Sequence, residues 1–94
     1  MGSPQKPTKV YVAVDLYVTT EGRMLPRAIH WEDGQTYEVD KVMFVRSAPA
    51  ARAGGQGDRY TLRMNGREKY LFFEHSTEFG SEIPGRWFVE RKEE

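Results

Sequence analysis

The chain contains no cysteine, so it can hold neither a disulfide nor a thiolate metal site, and a reducing cytoplasm is its expected setting. No apolar run approaches the roughly 20 residues that a membrane-spanning helix needs. Residues 1–8 lack the apolar centre of a secretory leader, and Lys6 stands where a myristoylation signal wants Ser or Thr. No membrane partner is expected. Net charge is missing as well, because 14 basic residues balance 14 acidic ones. That balance argues against a wholesale polyanion binder but leaves room for a local patch. A long amphipathic helix is also lacking, and 94 residues suffice for one small domain.

What the chain does have is alternation. Val10, Val12, Val14, Leu16 and Val18 recur at a period of two, which makes residues 9–20 a strand. Two further alternating runs flank Glu32-Asp33-Gly34, where Asp33-Gly34 suits a two-residue turn with positive φ. Strands are expected over residues 24–31 and 35–46. In the second of these the period slips at Asp40-Lys41, which predicts a bulge or bend and one long strand serving two sheets. Strands at residues 59–64 and 67–74 flank a second turn, Asn65-Gly66, and a last strand spans residues 86–91. Tyr70, Leu71, Phe72 and Phe73 are apolar in succession, so both faces of their strand should be covered.

The fold class is therefore all-β: a small six-stranded antiparallel barrel or strongly bent sheet. Residues 1–8 are expected to be a disordered lead, 9–91 a single barrel domain and 92–94 a disordered end. Residues 47–58 should be an irregular segment, with a helical turn over 48–53 and a mobile glycine-rich loop after it. The expected core is Val10, Val12, Val14, Leu16, Ile29, Trp31, Tyr37, Val39, Val45, Tyr60, Leu62, Leu71, Phe73, Trp87 and Val89.

Several short motifs recur in a familiar order. They are Trp31-Glu32-Asp33-Gly34 with Tyr37 and Val39, Val45-Arg46, Gly54-Gly55-Gln56-Gly57, Arg59-Tyr60-Thr61, Tyr70-Leu71-Phe72-Phe73-Glu74 and Arg86-Trp87-Phe88-Val89-Glu90-Arg91. Together they resemble a family of small uncharacterised bacterial proteins found mainly in Gram-positive anaerobes. The resemblance spans nearly the whole of residues 9–91. It implies a fold similar to a Src homology 3-like barrel, and it implies no established activity or site residues.

No residue set points to catalysis, and no cofactor is expected. Gly54-Gly55-Gln56 matches the tripeptide with which peptide-chain release factors hydrolyse peptidyl-tRNA, but the basic flanks of those proteins are missing, and the segment suits a flexible connector. Glu74, His75 and Glu78 could approach a metal ion, yet a structural zinc site wants four firm ligands, so no metal site is assigned.

Charge is unevenly spread. Residues 46–69 hold six basic residues, Arg46, Arg52, Arg59, Arg63, Arg67 and Lys69, against Asp58 and Glu68. Arg59, Thr61 and Arg63 share strand parity. Arginines beside exposed rings are how small barrels hold phosphates and stack bases. The candidate binding residues are Arg46, Arg52, Arg59 and Arg63 with Phe44 and Phe72. The opposing explanation is that these charges pair with neighbouring acids and solvate the sheet. The leading expectation is a small non-catalytic protein-interaction module, monomeric or weakly dimeric, with an unidentified protein partner. A nucleic-acid-binding module using residues 46–69 is the alternative.

Overall fold

The computed structural model describes residues 8–49, 56–76 and 82–91. They form seven strands: β1 (Thr8–Val18), β2 (Met24–His30), β3 (Thr36–Glu38), β4 (Lys41–Pro49), β5 (Gln56–Met64), β6 (Arg67–His75) and β7 (Gly85–Arg91). All pairs are antiparallel, in the order β3-β2-β1-β7-β6-β5-β4. The fold is all-β and barrel-like. No helix among the described residues is long and apolar enough to cross a membrane.

The expected long third strand is two strands, which makes seven rather than six. The break falls at Val39-Asp40, where the sequence period slips. There the Val39 amide donates to the Arg27 carbonyl on β2, and the next amide, Asp40, donates to the Arg63 carbonyl on β5, both at 2.9 Å. Two residues thus carry the chain from one end of the sheet order to the other, and the sheet is curled like a half-barrel. The Asp40 carboxylate pins this seam by accepting the Asn65 amide at 3.0 Å. β1 serves as a second corner. Its first half, Thr8–Val12, pairs with β7, and Ala13–Val18 pairs with β2 across a register shift at Asp15/Leu16.

Two turns differ in kind. Asn65 (φ 52°) and Gly66 (φ 77°) are both left-handed, as a two-residue hairpin turn requires. The Asp33-Gly34 turn is one residue longer than expected. Trp31 donates to the Gln35 carbonyl at 2.8 Å, which closes a loop over Glu32, Asp33 and Gly34, and only Gly34 takes positive φ (88°). Asp33 keeps ordinary φ and uses its carboxylate to accept the Gln35 amide at 2.8 Å.

The segment expected to be irregular is largely strand at both ends. β4 runs to Pro49, so no helical turn begins at Ala48, and Gln56 and Gly57 open β5 opposite Pro49 and Ala48. The rest of that segment, including Arg52, Gly54 and Gly55, lies outside the described residues, as do residues 1–7 and 92–94. Thr8, assigned to the disordered lead, is the first residue of β1 and sits opposite Arg91.

The main core lies inside the curl: Ile29, Tyr60, Leu62, Leu71, Phe73 and Trp87, with Val12, Val14, Val39 and Val89 packed around them. Three expected core residues are exposed: Leu16 (36%), Tyr37 (43%) and Val45 (45%). Leu16 lies on the part of the β1–β2 hairpin that runs past the last β7 partner, Val12. Tyr37 and Val45 sit on β3 and β4, which end the sheet order. Correct alternation therefore gave the right face in each case, but no layer covers it.

Candidate functional site

Residues opposite one another in an antiparallel pair share a face. The register places Arg46, Arg59, Phe72, Phe88 and Tyr11 in one row across β4, β5, β6, β7 and β1, on the outer face. Phe44, Thr61 and Tyr70 form the next row, and Arg63 opposes Glu68 beyond it. Of the candidate residues, Phe44, Arg46, Arg59, Arg63 and Phe72 thus share one face, and Arg52 falls outside the described residues. Phe72 is not an available ring. It is buried against Phe88, stacked at 5.0 Å and 8°, in a second small core on the outside of the sheet.

Guanidinium groups lie against the exposed rings of this face. Arg59 sits 4.7 Å from the centre of Tyr70, Arg86 3.6 Å from Tyr11 and Arg46 5.9 Å from Phe44. Arg59 Nε and Thr61 Oγ1 are buried without a hydrogen-bond partner. Lys9 lies 4.9 Å from the Phe88 ring and forms an ion pair with Glu74, which also accepts the Tyr11 hydroxyl at 2.9 Å. The Lys9 hydrogen bond holds the Glu74 carboxyl below its usual range, with Tyr11 helping and burial opposing. The same bond raises Lys9.

The two shifts act in opposite directions with pH. Glu74, depressed by folding, contributes stability above its unfolded pKa that is lost as pH falls through the folded value. Lys9, raised by folding, contributes stability below its unfolded pKa that is lost as pH rises through the folded value. The stability gap between the protein and Glu74→Gln should therefore be widest between the ordinary Glu and Lys ranges, at about 1 kcal/mol, and should close in acid and in strong alkali. Urea unfolding across pH checks this, and a gap that stays flat with pH would contradict it.

The second feature is a split in the sheet. β6 pairs with β5 from Arg67 to Glu74, but with β7 only from Phe72 to His75. Beyond Phe72↔Phe88 the two strands part, and a cleft of about 900 Å³ opens between them. Ile29, Trp31, Tyr37 and Val89 line it from inside the curl, and Glu68, Tyr70 and Glu90 from outside. Glu90 Oε2 is buried there without a hydrogen-bond partner. Arg67 and Lys69, also in the wall, make no ion pair among the described residues, whereas Arg91 reaches Glu32 at 3.2 Å. Sequence reasoning missed this cleft. Its signal is visible afterwards: Arg67 and Lys69 occupy the inward parity of β6, where a closed barrel would want apolar residues.

The structure also makes a row that the sequence did not suggest. Asp15 Oδ1 lies 3.0 Å from His30 Nε2, and His30 Nδ1 lies 3.0 Å from Thr36 Oγ1. The three-residue loop sets this, because it puts His30 opposite Thr36. Carboxylate, imidazole and hydroxyl stand in the order a nucleophilic triad uses. They lie on an open strand face, and none of the three lines the cleft. His75 pairs separately with Asp58 at 3.0 Å. The described residues hold no group of three or more metal-ligating side chains. Glu78 lies outside them.

No family model, curated protein or solved structure matches this chain.

Proposed function

We propose that the protein is a small non-catalytic protein-interaction module of the bacterial cytoplasm, working without a cofactor as a monomer or weak dimer. The observation that supports this most is the cleft between β6 and β7. It is large, ring-lined and uncovered, and it opens where the pairing of β6 with β7 stops at Phe72↔Phe88. Concave, mostly apolar space with a few placed polar groups is what binding sites share. A photoreactive phenylalanine analogue in place of Tyr37, introduced in the native cell, tests the reading. A discrete polypeptide adduct is expected, resistant to nuclease and absent when the analogue replaces Tyr17, which is more exposed but does not line the cleft. No adduct, or one at both positions, overturns it.

A second reading has its own support. Arg46, Arg59 and Arg63 share the outer face with Phe44 and Tyr70, the grouping used to bind single-stranded nucleic acid. It requires oligonucleotide binding that weakens steeply with salt and is lost in Arg59→Glu. A nuclease-sensitive adduct on the outer face would move the conclusion to this surface.

A further inference from the structure

We propose that the split between β6 and β7 accepts an extended segment of another polypeptide as an added strand, with apolar residues turned inward and Lys or Arg turned outward. This rests on the protein-interaction reading and names the form and chemistry of the partner.

The backbone supplies the first support. Across the two-residue turn at Asn65-Gly66, Met64 and Arg67 exchange hydrogen bonds. Alternation then directs Lys69 and Leu71 to β5, while Glu68, Tyr70 and Phe72 present N–H and C=O on the other side. Phe72 meets Phe88 there, but Glu68 and Tyr70 have no strand opposite. By the same alternation Trp87, Val89 and Arg91 bond to β1, and Glu90 faces the gap. Two stretches of strand edge thus confront each other unpaired, which is the template for strand addition. The free stretch of β6 spans about five residues, or roughly 17 Å, so a guest of five to seven residues fills it.

The side chains supply the second support. Inward guest residues would meet Ile29, Trp31, Tyr37 and Val89, which favour bulky apolar groups. Arg67 and Lys69 on that side repel a basic residue there. Outward residues would meet Glu68, Tyr70 and Glu90. The buried, partnerless Glu90 oxygen calls for a donor, and Lys9, which lies opposite Glu90, is already engaged by Glu74. A cation on the guest satisfies that oxygen, because a buried carboxylate without a partner is costly. Arg67 and Lys69 on the inner side of the gap, with the partnerless Glu90 oxygen on the outer side, therefore select one alternation of the guest.

The test uses the whole chain with capped heptapeptides alternating Val, Ile or Phe with Lys or Arg. Binding should perturb Trp31 and slow amide hydrogen exchange at Glu68, Tyr70 and Glu90 by tenfold or more, roughly one hydrogen bond's worth. Glu90→Gln should weaken binding about tenfold, the loss of one charge-assisted bond. A peptide N-methylated at alternate residues should not bind. Binding that leaves those three amides exchanging as before, or that tolerates N-methylation, overturns strand addition. So does failure of every peptide to bind. A polypeptide adduct at Tyr37 in the same protein would then show that the partner reading survives without it. Preference for a fatty acid over all the peptides overturns both.

Discussion

Phe88→Ala should cost as much stability as Trp87→Ala, about 3–5 kcal/mol each, although the two side chains point to opposite faces of β7. In a sheet with one wet face, the outward residue of such a pair would contribute little. Here Phe88 is 1% exposed and Trp87 is 9% exposed. Trp87 packs against Tyr60 and Phe73 in the inner core, at 5.0 and 4.8 Å. Phe88 is closed in by Phe72, Tyr11 and Lys9. Urea unfolding of the two variants measures the comparison. A cost for Phe88→Ala below about 1 kcal/mol would mean that the outer cluster is surface decoration rather than a second core.

Gly57→Ala is the second large effect expected, although it adds a single methyl group in an ordinary strand. A Cβ at Gly57 would lie 1.9 Å from the Phe73 carbonyl oxygen and 2.9 Å from its carbon. Those are backbone atoms of the paired strand and cannot rotate aside, so β5 and β6 must separate locally. A cost near the top of the overpacking range, about 3 kcal/mol, follows, and for a domain of this size it lowers Tm by more than about 10 °C. Gly66→Ala makes the useful contrast. Nothing lies within 4 Å of its added Cβ, and only the left-handed backbone resists, at about 1 kcal/mol. Equal losses in the two variants would contradict the close-approach account.

Alternation in the sequence was enough to place most strands and to choose their inward faces, because a period of two directly encodes which side is apolar. Val12, Ile29, Leu62, Leu71, Phe73 and Trp87 follow from it. The slip at Asp40 falls where the expected single strand divides into β3 and β4, at opposite ends of one sheet. What local pattern cannot carry is what lies over a face. Leu16, Tyr37 and Val45 have inward parity and stay exposed, because neighbouring strands end before they do. Phe72 has outward parity and is buried, because Phe88 of the adjacent strand β7 stacks on it. Arg59 and Arg63 could be grouped from parity alone, since they share a strand, whereas Arg46 joins them only through the observed β4–β5 register and Arg67 turns to the inward face. The cleft could not, because it depends on where β6 and β7 stop pairing. The Asp15–His30–Thr36 row was equally hidden, since it depends on one residue of loop length.

The order of the strands also bears on how the molecule assembles. β7, the last of the described strands in sequence, is the middle strand of the seven. Before it emerges, β1-β2-β3 and β4-β5-β6 are two separate meanders joined only at Val39-Asp40, and neither has Trp87 or Phe88 to pack on. Hydrophobic closure on both faces therefore waits for one late segment inserted between early ones. Such dependence on distant pairings slows folding to the millisecond-to-second regime typical of high contact order. A nascent chain halted before Gly85 should remain protease-sensitive throughout, rather than sheltering a finished half.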